Sequence, residues 1–466
     1  VVIQQPSKNL ISIGDSVREL SRYSRFIYAD DLVTEKRRKG GRKMGNAEQI
    51  FIVGIMVLLI ALLLTRKAGL GWIGLMIPCV LSVSGIITPS EAFSGLADKS
   101  MFIFVGAFVL SEAFFRVGLS DVLGNWMQKR LMRVTNDGVI LLVLCLCTAA
   151  LSSILSSLAV QVAMMSLVLT LGSSLKVSKT KSMMAIAYAA TIGGMMTVMG
   201  TPLNMIGKAA YENAVPGETI GIFEISLVTV PAGILMILYY CFIGKRYLPD
   251  RAGCTDVQPV VKSAVSRKNQ ILVALTFLFF ILAVAPDQKS LISSYAAGCA
   301  VILFLGGAGI LSVKEIVNAI RWDILMFIMG IKALGTGIEK VELDSLLSEN
   351  AAGLFWDDIP DRVLIAAVFL LVVLITQFLN NTGTFGVVLP FVLVLSSSLG
   401  VNLKPVMLTA MIASSCGFAL PIAAPSYPML AEEGGIFTGD WLRQGLPLVA
   451  VCFVVCIVMI PFLWPL

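Results

Sequence analysis

The chain has 466 residues, of which 57% are hydrophobic and 14% charged, with a mean hydropathy of +0.89 and a formal net charge of +6. A soluble domain of that length cannot hide so much apolar surface. The apolar residues cluster in blocks long enough to cross a hydrocarbon core of about 30 Å. Continuous apolar runs exclude an outer-membrane barrel, whose strands alternate apolar and polar, and leave an all-α polytopic membrane protein. There is no histidine, which removes imidazole as proton relay, metal ligand or base. Eight of the nine cysteines (Cys79, Cys145, Cys147, Cys241, Cys299, Cys416, Cys452, Cys456) lie in apolar blocks and read as small buried hydrophobes, not a disulfide framework.

Residues 1–43 carry ten Lys/Arg and five Asp/Glu with no apolar block, so they are not a signal peptide. The first methionine is Met44, just before the first apolar span. The reading is that translation starts at Met44 and that 1–43 is an upstream extension, with a disordered basic tail as the alternative. Intact mass of the native protein decides between them.

Apolar spans follow near 50–64, 70–87, 101–117, 182–200, 222–244, 270–286, 294–311, 324–338, 405–423 and 445–464. Two further stretches, 138–175 and 362–399, are interrupted in the middle, at the Ser/Leu-rich 152–158 and the Asn/Thr/Gly-rich 380–384. A broken apolar stretch predicts a re-entrant helical hairpin whose tip lines a cavity.

The two halves match at a fixed offset of 224 positions: Glu91 with Glu315, Gly106 with Gly330, Arg116 with Lys340, Leu155 with Leu379, Met183 with Met407. The register slips by one near Thr201-Pro202 against Ala424-Pro425. Such a match over about 100 residues predicts an internal duplication. The loops after the third span, after the first hairpin and at the centre hold clustered Lys/Arg, and their second-half counterparts do not. By the positive-inside rule the second half is therefore inverted, with five spans in each half. The expected organisation is a tail, 1–43; a first inverted repeat, 44–247, with hairpin 138–175; a cytoplasmic linker, 248–268; and a second repeat, 269–466, with hairpin 362–399.

Four breaks could carry chemistry: the tips Ser152–Leu158 and Thr376–Thr384, and the helix breaks at 200–204 and 423–426. Ser, Thr and Asn oxygens with free carbonyls suit a hard cation such as sodium. Helix N-termini with unpaired N–H groups favour an anion. Pro202 and Pro425 each remove a donor and free nearby carbonyls.

The run Thr376-Gln-Phe-Leu-Asn380-Asn381-Thr382-Gly383-Thr384 resembles the second Ser-Asn-Thr motif of the divalent anion/sodium symporter family, within the ion transporter superfamily. Gly200-Thr201-Pro202-Leu203-Asn204 resembles that family's Gly-Thr-Pro-Pro-Asn break, and Leu420–Pro425 its second-repeat partner. The resemblance covers about residues 46–466. It implies two sodium sites at the hairpin tips, a dianionic small-molecule substrate between them, elevator-like movement and a homodimer in the bilayer, with no nucleic-acid partner. Carried over by position, the first sodium site uses Ser152, Ser156, Ser157 and Gly200. The second uses Thr376, Asn380, Asn381 and Ala423. Substrate contacts fall to Ser157, Leu158, Thr201, Pro202, Asn204, Asn381, Thr382, Ala424, Pro425 and Ser426. The sequence departs from the family at Ser156-Ser157-Leu158, which lacks Asn and Thr, and at Ala424-Pro425-Ser426-Tyr427, where the family has Thr-Pro-Pro-Asn.

Two charged features lie within apolar spans. Lys332 could attract the anion in place of a missing cation, or snorkel or pair with an acid. Glu112 and Arg116, four apart, are expected to pair on one helix face. No phosphate-cradling loop with a lysine supports ATP-driven transport, and no catalytic motif supports an enzyme. The expected function is a sodium-coupled secondary transporter of a dicarboxylate or sulfate in the cell inner (plasma) membrane. The alternatives are a sodium-independent or proton-coupled carrier of the same fold, one for citrate or arsenite, or a transport-inactive scaffold.

Overall fold

The computed structural model describes residues 46–65, 68–97, 99–119, 122, 136–171, 177–251, 266–284, 294–341 and 360–465. Residues 1–43 and Met44, and most of the linker 248–268, lie outside them. The chain falls into two units, Val1–Ile50, described only from Asn46, and Phe51–Leu466, which holds every contact and site discussed below.

Eighteen α-helices are seen among the described residues. In chain order they are α1 (Asn46–Thr65), α2 (Leu70–Val83), α3 (Pro89–Phe93), α4 (Lys99–Arg116), α5 (Asp137–Ser152), α6 (Ser157–Leu171), α7 (Lys179–Met195), α8 (Pro202–Ala214) and α9 (Ser226–Phe242). They continue with α10 (Arg267–Val284), α11 (Ser294–Gly307), α12 (Val313–Ala319), α13 (Trp322–Lys340), α14 (Asp361–Phe378), α15 (Asn381–Leu399), α16 (Leu403–Ser415), α17 (Tyr427–Gly434) and α18 (Thr438–Leu463). Four of them, α10, α14, α15 and α18, are long and apolar enough to cross a membrane, or five spans if the pair Pro89–Ala97 and Met101–Arg116, bent by 44°, counts as one. The other apolar helices offer stretches of only 10–17 residues, several because a predicted span stops early. The span expected over 182–200 ends as helix at Met195, and that over 405–423 ends at Ser415.

Local chemistry explains where helices begin. Thr88 and Ser312 each open a short helix with a capping box. Glu91 N and Glu315 N donate to the Thr88 and Ser312 hydroxyls, and the two glutamates accept from the Thr88 and Ser312 N–H groups at 2.8 Å. These caps lie 224 positions apart, as do the starts of α2 and α11, α5 and α14, α6 and α15, and α7 and α16.

Contacts recur at the same interval. α2 packs along α13, and α4 along α11. A Cβ on Gly74 would strike the Met326 carbonyl, and one on Gly298 the Phe102 carbonyl. Gly330 and Gly106 face the same crossings, where an added Cβ would sit 2.5 Å from Gly74 O and 3.0 Å from Gly298 O. Only glycine lets the backbones approach this closely. Arg116 pairs with Glu315, and Lys340 with Glu91 at 2.5 Å, so two ion pairs join each half to the other reciprocally. The expected Glu112–Arg116 pair thus gives way to Arg116–Glu315. The capping box fixes the Glu315 carboxylate beside the guanidinium, at less entropic cost than ordering a second long side chain on α4.

The remaining helices pack around the broken segments: α5 on α7, α6 on α7, α14 and α15 on α16, α17 on α7, and α9 and α14 on α18. The helix α8 meets both α16 and α13.

Candidate functional site at the helix breaks

At the first tip, α5 stops at Ser152 and α6 starts at Ser157. Ser152 is buried and donates to Ala190 O at 2.6 Å, with its Oγ 2.8 Å from Ser157 Oγ. Ser157 in turn donates to Gly200 O at 3.1 Å. The structure thus brings together three of the four residues expected at the first cation site. The fourth, Ser156, serves the local helix, its carbonyl accepting from Val160 N at 3.0 Å.

Thr197 shapes the adjacent break. Its hydroxyl accepts from Met199 N and Gly200 N, both at 3.2 Å, and donates to Ser153 O at the tip. By taking those N–H groups it ends α7 and leaves carbonyls without helical partners. Helix α8 then begins at Pro202, where a missing N–H costs nothing. Thr201 precedes it with no side-chain capping bond. Asn204 is fully buried, and its Nδ2 donates to Thr197 O at 2.8 Å.

The second tip has a parallel arrangement with longer side chains. Asn380 caps α15 by accepting from Gly383 N at 2.7 Å. Thr376 donates to Ser414 O at 2.7 Å and lies 3.3 Å from Asn381 Oδ1, while Asn381 Nδ2 reaches Ser415 O at 3.4 Å. Gly417 packs beside both Asn381 and Ala423, at 2.7 and 2.8 Å from the position a Cβ would take. The pair Gly194–Gly200 stands against Ser157 as Gly417–Ala423 stands against Asn381. The one-residue slip therefore falls after Ala190 and Ser414, which accept the Ser152 and Thr376 hydroxyls, and before Gly194 and Gly417. That is earlier than the sequence suggests.

Gln377, which no local sequence signal marks, grips the second break from both sides. Its Nε2 donates to Cys416 O at 3.0 Å, and its Oε1 accepts from Ala419 N at 2.9 Å. Residues from the first half hold the far end of that break. Ser426 donates to Gln161 Oε1, and Tyr427 OH shares a 2.8 Å hydrogen bond with Thr191. The Ser426 hydroxyl is thus turned into the protein, Ala424 is half-buried and Pro425 exposed. Thr382 is half-buried, Leu158 is 46% exposed, and Lys332 is half-buried in the middle of α13.

None of the tips and breaks, 152–158, 196–204, 376–384 and 416–427, contains a charged residue. Among the described residues no group of three His, Cys, Asp or Glu could hold a metal ion. What the site offers is backbone carbonyls, neutral hydroxyl and amide oxygens, and the N-termini of α6, α8, α15 and α17. Charged side chains lie outside these segments: Lys208, buried in α8 one turn beyond Asn204, pairs with Glu212 at 2.8 Å, and Lys332 sits in α13. At the start of α7 the Lys181 ammonium and the Ser178 hydroxyl hold the Asp250 carboxyl below its usual range. At Glu91, burial is outweighed by Lys340 and Thr88, and the carboxyl titrates below its ordinary value.

A family profile described as citrate transporter matches residues 60–364. An uncharacterized transporter of Haemophilus influenzae is 26% identical over 407 residues, covering 84% of this chain and 86% of that protein. The sodium-dependent dicarboxylate transporter SdcS of Staphylococcus saprophyticus is 24% identical over 453 residues, covering 89% and 86%. Among solved structures the YdaH transporter of Alcanivorax borkumensis superposes with a TM-score of 0.59 at 14% identity, covering 90% of this chain and 99% of that one. The Neisseria gonorrhoeae efflux pump MtrF superposes with a TM-score of 0.57 at 12% identity, covering 90% and 96%. Both likenesses speak to the fold alone. These relatives are transporters and not enzymes, in keeping with the resemblance read from the motifs. The chain is therefore a multi-pass plasma-membrane transporter, and it belongs to the citrate transporter family.

Proposed function

We propose that this protein is a secondary transporter that carries a small dianion, a dicarboxylate first among the candidates, together with sodium. The observation that carries the reading is the lack of any charged side chain at four helix breaks that gather unpaired N–H groups and carbonyls. Helix N-termini attract an anion, each with about half a positive charge. Those dipole ends orient the anion but add no net charge, so two charges brought into a site without a fixed cation call for co-bound cations. The Ser152–Ser157–Gly200 and Thr376–Asn381–Ala423 groups supply oxygens suited to sodium, and the named sodium-dependent relative supports that choice. Asn381, Thr382, Thr201 and Ser157 are the polar side chains best placed to face the anion.

The reciprocal ion pairs and glycine crossings support two oppositely oriented repeats, with the tips re-entrant at α5–α6 and α14–α15. The packing of the broken helices as one group supports elevator movement of that group, and a homodimer completes the proposal. A thermal-shift screen of the purified protein against succinate, citrate, sulfate and phosphate, each in sodium and in choline, tests it. Stabilisation by one anion only when sodium is present is expected. An anion shift of equal size in choline favours the sodium-independent carrier of the same fold.

A further inference from the structure

Hydroxyls inside these helices share a habit. Thr148, Thr191, Thr229, Thr276, Thr409 and Ser415 each have the carbonyl four residues earlier as a hydrogen-bond partner, the usual way for a hydroxyl inside a helix to be satisfied. Ser414 and Thr384 depart from it. Both residues are fully buried, and neither hydroxyl has a hydrogen-bond partner. Asn204 Oδ1 is equally buried and unpartnered. Buried polar atoms are nearly always satisfied, so three such oxygens in one region point to something they bind.

Helix register places them together. α8 and α16 run antiparallel: Lys404 Nζ lies 5.5 Å from the Tyr211 ring centroid, and further along Met411 Sδ is 2.6 Å from where a Gly207 Cβ would sit. Three residues on, along the same two faces, Asn204 comes level with Ser414. α15 is also antiparallel to α16, with Asn381 at Ser415 O and Ser396 donating to Val401 O. Thr384 sits one turn inside α15 from Asn381, on the same face, and α8 packs against both helices.

The other half shows what this place looks like when filled. With Gly200 matched to Ala423, Asn204 corresponds to Tyr427, and there the Tyr427 phenol reaches Thr191 and closes a hydrogen bond. An amide is shorter than a phenol ring and does not reach across in the same way, so the first-half copy keeps its Oδ1 open.

We propose that Asn204 Oδ1, Ser414 Oγ and Thr384 Oγ1 form a third cation site, separate from the two tip sites, that binds sodium. Neutral oxygens without a carboxylate suit a monovalent hard cation better than calcium or a transition metal. The site adjoins the second tip site, because Thr376 donates to the carbonyl of the same Ser414. The inference rests on the sodium-coupled reading above, and its test separates the two. Uptake of labelled succinate into proteoliposomes is measured against sodium concentration for wild type, Ser414→Ala, Thr384→Val and Asn204→Asp. The first two variants are expected to lower the Hill coefficient by about one and to raise half-saturating sodium by about fivefold or more. Anion affinity at saturating sodium stays within about twofold. Asn204→Asp, which adds a charge instead of removing an oxygen, is expected to lower half-saturating sodium, and it keeps the test decisive if the other two fail to reach the membrane. Sodium curves that match wild type in all variants, as for oxygens holding only a buried water, overturn the third site and leave the transport reading standing. Wild-type uptake that ignores sodium overturns the parent reading instead.

Discussion

Gln377→Leu isolates how the second break is held open. The substitution keeps the side-chain bulk and removes three hydrogen bonds: two to the break, 3.0 Å to Cys416 O and 2.9 Å from Ala419 N, and one of 2.9 Å to Val373 O within α14. Cys416 O keeps a second donor, Phe418 N at 2.9 Å, so the larger loss falls on Ala419 N. An unsatisfied buried donor costs about 1–3 kcal/mol, and partial access to water at this position argues for the lower half of that range. The segment it releases, 416–423, carries Gly417 and Ala423 against Asn381. Gln377 is therefore a positioning residue for the second tip site and touches no cargo in this reading. If 1–2 kcal/mol of ordering is lost before sodium can bind, half-saturating sodium rises roughly 5- to 30-fold. Anion affinity at saturating sodium changes little. Uptake of labelled succinate into proteoliposomes at a series of sodium concentrations reads both quantities. Gln377→Glu keeps the acceptor for Ala419 N and loses the donor, so it falls between wild type and Gln377→Leu. A sodium curve for Gln377→Leu within twofold of wild type refutes the reasoning.

Three further outcomes follow from the fold. Reversing one charge, Lys340→Glu, sets like charges against Glu91 and lowers the unfolding temperature in detergent, and the double reversal with Glu91→Lys recovers only the charge repulsion, because Glu91 also accepts from Thr88 N–H in the capping box. Each pair is half-exposed and contributes at most about 1 kcal/mol. Gly74→Val forces a side chain into the Met326 carbonyl and is expected to cost about 1–3 kcal/mol or more, read as loss of the monodisperse peak in size-exclusion chromatography. The Glu91 carboxyl titrates below its ordinary 4.5 when folded. Its stabilisation is therefore intact at neutral pH and is lost as pH falls from 4.5 through the folded value. Between pH 7 and pH 4 the unfolding temperature of wild type should accordingly fall further than that of Glu91→Gln.

Much of this arrangement is legible in the sequence because it is written locally. Apolar runs mark helices, Ser/Thr-x-x-Glu marks the capping boxes at Thr88 and Ser312, and the 224-position interval aligns residues whose contacts recur at that interval. The tips were legible from Ser152–Ser157 and Thr376–Asn381, whose polar residues interrupt apolar stretches. What escaped reading depends on partners far along the chain. Arg116 finds Glu315 and not Glu112, and Gln377 reaches residues near 416 and 419. Nothing in a local window says that a glutamine will bond to a break some 40 positions away. Thr197 carried a weak signal as a hydroxyl just ahead of the Gly200-Thr201-Pro202 break, where its oxygen can cap freed N–H groups. Nor does the sequence tell which hydroxyls face the cargo. Ser426 reads as a ligand by position, but Gln161, 265 positions earlier, takes its hydroxyl.

Equilibrium binding of a labelled dicarboxylate to the purified protein, in sodium and in choline, for wild type and Asn381→Ala, tests the heart of the account. Binding in sodium that vanishes in choline, and that weakens about tenfold or more in Asn381→Ala, is the predicted result. Binding of the same strength in both salts, or untouched by the Asn381 substitution, contradicts a neutral site of helix ends that holds its anion only alongside cations.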